Sequence, residues 1–373
     1  MLSTIVAVVA VVALLGDVVD VAHGASLKAS GNKTTNNKSS SSTAGVPLWM
    51  HNFTTPQAAV NPTVFAGVAY VPTNTSLYAF TIATGALVFK MDFIAGDVGG
   101  YVAVDERYLY VGTFEYLYSL NRDTGATIWT YRRPFGPRGP QMRPSIGLQG
   151  VYVTTSFTPL VKIHHVFGTP IWTAPPSLGN AQLHATESAV GGFVFVVNLL
   201  EGADGVSYAT CLSATDGSYQ WRVAGVRNII VSDITGLLFC LQEDSSSSNI
   251  SSFQLQGGRA GRSIVLPPKP LDYYSYRSTM YVANNAMSPT DVLKVDIHTN
   301  KVIWTIPNVP FQYFVPSALG IVVFGLSEVT AYSEYDGSML WRFPAVAVND
   351  GAVSVDNTLI MITQYAVIAL PIA

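Results

Sequence analysis

NRDTGATIW, residues 121–129, places a Gly four residues ahead of a Trp, directly after the alternating run YLYSL. The phrase returns along the chain: ATDGSYQW ends at Trp221, EYDGSMLW at Trp341, and DIHTNKVIW at Trp304 with Asn300 in the place of the Gly. Aligned on that Gly, the pairs are Gly45 with Trp49, Gly85 with Phe89, Gly125 with Trp129, Gly168 with Trp172, Gly217 with Trp221, Gly261 with Val265, Asn300 with Trp304 and Gly337 with Trp341. The large residues are spaced 40, 40, 43, 49, 44, 39 and 37 positions apart. A period near forty marks a repeat architecture, which takes precedence over any local motif.

Within one period an alternating segment such as GVAYV or ERYLYVG is followed by a loop, then SLYAF or EYLYSL, then a Gly turn, then ALVF or ATIW. Short β-branched and aromatic runs between Gly and Asn/Asp turns read as strands, and no segment sustains a helical period. Four short strands per unit predict one blade of an all-β propeller. The Gly falls in the hairpin between third and fourth strands, where positive φ is required, and Asn is the next best residue there. The Trp opens the outer strand, where a flat ring can cover the seam between blades. All six tryptophans, Trp49, Trp129, Trp172, Trp221, Trp304 and Trp341, occupy this position.

The chain ends QYAVIALPIA, which matches a third strand with no Gly turn or Trp strand after it. The missing fourth strand is supplied by GVPLW, residues 45–49, so the N-terminal strand is expected to complete the last blade and close a ring of eight.

LYSLNRDTGATIW and its looser copies LYAFTIATGALVF, ATCLSATDGSYQW, VLKVDIHTNKVIW and VTAYSEYDGSMLW resemble the pyrroloquinoline quinone (PQQ) type repeat. The resemblance covers residues 46–373 and is degenerate at HHVFGTPIW and GGRAGRSIV. It implies an eight-bladed propeller with tryptophan docking motifs; the Trp-Asp endings and Gly-His pairs of WD-type propellers are missing. Family members that are alcohol or sugar dehydrogenases carry an adjacent Cys-Cys pair or other stacking groups over the quinone, Glu, Asn and Asp ligands for Ca²⁺, and a catalytic Asp. Here Cys211 and Cys240 are far apart and no Trp is free to sandwich a planar ring. The resemblance therefore points to the scaffold type, similar to the lipoprotein subunit of the bacterial outer-membrane assembly machinery and to the luminal domains of eukaryotic stress kinases. Neither a lipobox Cys nor a kinase segment is present.

The first residues, MLSTIVAVVAVVALLG, form an apolar run followed by Asp17 and a small-residue pattern suited to cleavage before Ala25. This predicts a signal peptide over 1–24, with an uncleaved anchor as the alternative because no Lys or Arg precedes the run. Residues 25–45 are a polar Ser/Thr/Asn linker expected to be disordered. Five sequons, Asn32, Asn37, Asn52, Asn74 and Asn249, support a secreted or secretory-pathway glycoprotein without a membrane span after cleavage. In an oxidising compartment Cys211 and Cys240 either pair or stay as separate buried thiols. A net charge of −3 with 12% charged residues excludes the basic balance that nucleic acid selects.

The repeat residues are structural, so function must come from the loops. TYRRPFGPRGPQMRPS, residues 130–145, carries Arg132, Arg133, Arg138 and Arg143, four of the chain's 20 Lys and Arg. Guanidinium forks suit carboxylate and phosphate, so this loop is a candidate site for an acidic peptide; a solvated, solubilising loop is the competing explanation. Aromatic runs at Asp272–Arg277 and Phe311–Phe314 offer stacking faces or strand packing, with packing preferred. Asp97, His184, Glu187 and Asp350 are placed near the starts of first strands, around the channel mouth. His164 and His165 point to opposite sides of a strand and are expected as exposed turn residues, not ligands to one metal. No nucleophile elbow, HExxH or P-loop is present. The reading is a monomeric propeller binding a protein or other ligand such as an acidic peptide, without metal or quinone; the alternative is a divergent quinoprotein oxidoreductase using PQQ and Ca²⁺, or another propeller enzyme.

Overall fold

Each repeat folds as one four-stranded antiparallel sheet, and there are eight. The computed structural model describes residues 46–372 apart from 54–61, 95–98, 134–140, 149, 156–157, 176–179, 189–190, 200–205, 233–234, 244–247, 267–269, 277–278, 285–289, 297–298, 300, 318, 326, 345–347, 354–356 and 364. The first seven blades span 63–92, 99–132, 143–173, 180–224, 226–266, 270–309 and 313–344. The eighth takes three strands from 348–371 and its outer strand from Trp49–Asn52, paired Trp49 to Ala369 and Asn52 to Ala366. No described residue is helical, so the chain is an all-β, eight-bladed propeller closed by its N-terminal strand, as the repeat predicts.

Burial follows position within the blade. The second and third strands are enclosed on both faces, as in Gly320–Phe324 and Ala366–Pro371, which accounts for their unbroken apolar runs. Outer strands such as Thr127–Arg132 and Tyr219–Ala224 alternate half-buried with exposed residues. First strands of successive blades touch one another, and they face the axis. Between blades lie eight apolar clusters, one for each seam. The closing seam joins Ile360, Ile362, Val367 and Ala369 of the last blade to Val64, Ala69, Val71 and Phe80 of the first.

The Gly and the Trp of the repeat meet across these seams. The indole of one blade lies against the turn Gly of the next: Trp49 on Gly85, Trp129 on Gly168, Trp172 on Gly217 and Trp304 on Gly337, with Phe89 taking the ring's place on Gly125. Gly168 has φ 66°, and a Cβ added there would lie 2.6 Å from the Trp129 ring, so backbone conformation and space both demand glycine. The indole Nε1–H then donates to the carbonyl three residues before that Gly. Trp129 reaches His165 O at 2.7 Å, Trp172 reaches Ala214 O at 3.1 Å and Trp304 reaches Glu334 O at 3.0 Å. Trp341, which has no turn Gly ahead of it, donates to Ile372 O at 2.8 Å.

The fifth blade corrects the alignment. Its turn is closed by Gly258, with φ 64° and its N–H on Gln254 O at 3.2 Å, and Trp221 lies on that residue. Gly261 is three positions too late, and the repeat's Trp position is Arg262, not Val265. Asn300 lies outside the described residues. Cys211 and Cys240 are free thiols, both buried in the seam between the fourth and fifth blades. The disulfide left open by the sequence is thus not formed, and desolvation pushes the Cys211 thiol up to about 12.

Trp221 differs from the other tryptophans in that its Nε1 is buried with no partner. Trp221→Phe is therefore expected to cost about 1–2 kcal/mol less in urea denaturation than Trp129→Phe, which also orphans a carbonyl; equal losses would show that the hydrogen bond is not a strut of the seam. Deleting residues 46–52 should lower the melting temperature of the whole ring, because it opens the last blade and the seam to the first. A truncated chain melting with the parent would contradict the composite blade.

Candidate functional site

Loops from second to third strands and from fourth strands to the next blade share one face of the propeller. On the second blade this face is built on Thr113, whose Oγ1 donates to Tyr116 O at 2.7 Å and accepts from Tyr116 N–H at 3.0 Å. That clasp fixes the turn carrying Phe114 and Glu115. Both flanks of the arginine loop land on it. The N–H of Arg133 donates to Glu115 O at 3.0 Å, and that of Met142 to Thr113 O at 2.9 Å. Met142 is buried, and Gln141 Nε2 donates to Gly99 O at 2.7 Å, tying the returning flank to the second blade's first strand.

The arginines occupy three separate environments. Arg132 is exposed, and its Nε and Nη2 both contact Glu115 Oε1, at 2.9 and 2.5 Å. Such a pair at the surface contributes little stability. Arg133 is 5% exposed; its Nη1 donates to Phe114 O at 3.4 Å, while Nε and Nη2 are buried without a partner. Burial lowers its pKa. Arg143 opens the first strand of the third blade and lies 4.2 Å over the Tyr101 ring of the second. Arg138 lies outside the described residues.

The other candidates do not join this group. Glu187 ends the strand Asn180–Glu187 instead of opening it, so it sits at the opposite face from the one expected. There its Oε2 accepts from Leu148 N–H at 3.0 Å, against Gly147 of the third blade. His184 falls where that strand's register slips between Ala181 and Ala185. Asp350 is the third residue of Val348–Val353, near the expected end of its first strand. The side chains of His184 and Asp350, and the whole of Asp97, lie outside what is described. So do the side chains of Asp272–Tyr276 and all of Arg277. Phe311 and Phe314 pack together at 5.7 Å with Phe314 buried, which is the preferred packing explanation. Of the sequons, Asn52 is exposed, Asn74 and Asn249 are half-buried, and Asn32 and Asn37 are outside the described residues. No group of three His, Cys, Asp or Glu among the described residues could hold a metal.

His165 is not the exposed turn residue expected. Its Nε2 lies 2.9 Å from Gly147 O and its Nδ1 2.6 Å from the Tyr110 hydroxyl. A carbonyl can only accept, so Nε2 carries the proton and Nδ1 accepts from Tyr110. Burial holds this imidazole below its ordinary range, against the pull of the Gly147 carbonyl and Asp105. Two buried lysines were also missed by sequence reasoning. Lys162 Nζ donates to Ala214 O and Lys294 Nζ to Glu334 O, each at 2.7 Å. These are the carbonyls that Trp172 and Trp304 already bond. The sequence signal is a Lys six residues before the turn Gly position, where other repeats have Ala79, Ser119, Cys211 or Ala331. On the opposite face a cleft of about 440 Å³ opens between the fourth and fifth blades, lined by Phe193, Gly236, Leu237, Gln254 and Gln256 among others.

An eight-bladed propeller whose seams are locked by aromatic rings on glycine turns defines the class. A family model described as outer membrane protein assembly factor BamB matches residues 73–136 and 115–260, and the chain belongs to this PQQ-like β-propeller family. No curated protein sequence matches significantly. Among solved structures, BamB from Moraxella catarrhalis is 15% identical over 88% of this chain and 100% of its own, with a TM-score of 0.65. The quinohemoprotein alcohol dehydrogenase from Comamonas testosteroni is 12% identical over 88% of this chain and 76% of its own, with a TM-score of 0.68. A chain of the mitotic checkpoint complex is 11% identical over 94% of this chain and 98% of its own, with a TM-score of 0.52. At these identities the likeness is one of fold.

With its pKa depressed in the fold, neutral His165 contributes stability that is full above about pH 6.5 and declines as pH falls below it. His165→Gln should flatten the fall in melting temperature between pH 7.5 and 5 relative to the parent. Parallel curves would mean that the imidazole does not titrate differently on folding.

Proposed function

We propose that this propeller is a binding module that takes an acidic polypeptide on its loop face, at the arginine loop of the second blade. The observation that carries this is the placement of Arg132, Arg133 and Arg143 on two loop flanks pinned to one clasped turn, in a chain with 20 Lys and Arg in 373 residues. Membership of a family described by an assembly factor supports a scaffold role, as does likeness in fold to a chain of a checkpoint complex. The leader at 1–24, the linker at 25–45 and the sequons support a secreted or secretory-pathway monomer. In this reading the propeller works without quinone or metal. The quinoprotein alternative draws on the fold shared with the alcohol dehydrogenase, and the two readings part on cofactor uptake.

A fluorescein-labelled hexaglutamate peptide should bind the purified protein with an affinity that falls as salt rises. Replacing Arg132, Arg133, Arg138 and Arg143 together with Gln should abolish that binding while the fold still melts cooperatively. Titration with PQQ and Ca²⁺, followed by quinone absorbance and melting temperature, should show no saturable shift. A saturable shift would overturn this reading in favour of the oxidoreductase.

A further inference from the structure

Resting on the loop-face reading, we propose that Arg133 is the receptor of that site, and that its Nε–H and Nη2–H take both oxygens of one carboxylate from an acidic side chain of the bound polypeptide. These two nitrogens lie on the same edge of the guanidinium plane, the edge that fits a carboxylate side-on. Arg132, the preceding residue, shows that edge in use, since its own Nε and Nη2 both engage Glu115. In Arg133 the same edge is unpartnered although the side chain is 5% exposed.

A buried guanidinium with two idle donors is costly, and chains avoid it unless something answers the charge. Nothing within the described part of this chain does. Glu115, the nearby carboxylate, is held by Arg132, and among the described residues burial is the one influence on the Arg133 charge. Position is not the problem, because the backbone N–H of Arg133 is fixed on Glu115 O and its Nη1 is given to Phe114 O. One edge is therefore left, with two coplanar donors and one unit of positive charge. A carboxylate matches it in shape and charge. An anion seated there leaves water behind, so the pairing is stronger than at exposed Arg132.

Melting temperature and peptide anisotropy test this with labelled hexaglutamate and with acetate as probes, on the full chain and three variants. Arg133→Met should melt at or above the parent without ligand, because an unanswered buried charge is gone, and should lose the peptide-induced rise in melting temperature. Arg133→Lys keeps the charge and loses the edge, and should bind at least tenfold more weakly than the parent. Arg342→Gln, an exposed arginine in the outer strand of the seventh blade, should stay within threefold. Should Arg133→Met bind like the parent, the peptide is held by the other arginines of the loop; the inference falls and the loop-face reading stands. If the parent itself binds no peptide, both fall. A shift with acetate and none with peptide would assign the edge to small acids and overturn the polypeptide source.

Discussion

An indole ring pressed on a glycine turn, with its N–H on the carbonyl three residues earlier, is the contact on which this molecule depends. Alone, a four-stranded blade exposes apolar surface on both faces and cannot bury it. In six of the eight seams the ring of one blade reaches a turn glycine of the next, which fixes the seam in height as well as in area. Trp129 on Gly168 and Trp172 on Gly217 share one geometry although the residues around them differ. In two seams a buried lysine joins the tryptophan on the same carbonyl, which gives that acceptor a second donor.

These locks all lie on the face of the third-to-fourth turns, which leaves the other face free to vary. The arginine loop belongs to that second face. Its flanks are held by the Thr113 clasp and by Met142, which is buried in the seam between the second and third blades. The seam locks and the arginine loop thus lie on opposite faces of the ring. His165 shows the other face's habit: a titratable side chain drawn into a seam between Tyr110 and Gly147 and held neutral.

The fold was legible because the two halves of the lock stand four residues apart in each repeat, although each meets its partner in a neighbouring blade. Gly and Trp four residues apart are readable wherever both survive, and the count of eight and the composite blade followed from them. Reading failed where the lock had eroded: the fifth blade lacks its own Trp, so Gly261 was taken for Gly258 in a run with three glycines. The site was legible only as composition. That the loop concentrates arginine could be seen, but Arg132 and Arg133 are neighbours with opposite fates, exposed and buried, and no periodicity distinguishes them in a strand's last turn. Glu187 was misplaced for a related reason, since an eight-residue strand has two ends and the sequence does not say which is nearer the channel mouth. Lys162 and Lys294 carry no mark of burial in residue type alone; their reach to a neighbouring blade's carbonyl is what permits their burial.

The pairing of Trp49 with Ala369 also has a consequence in time. Some 320 residues of chain separate the two partners, so on a ribosome the first strand made is the last to find its place. Seven blades can form as their own strands emerge, each leaning on the one before it. The eighth must wait until residues 348–371 have been made, and until then the first blade keeps a bare flank. Loop closure over so long a span is slow, and unpaired strands in the interval invite association with other chains. The order of birth is built into which blade was chosen to be shared.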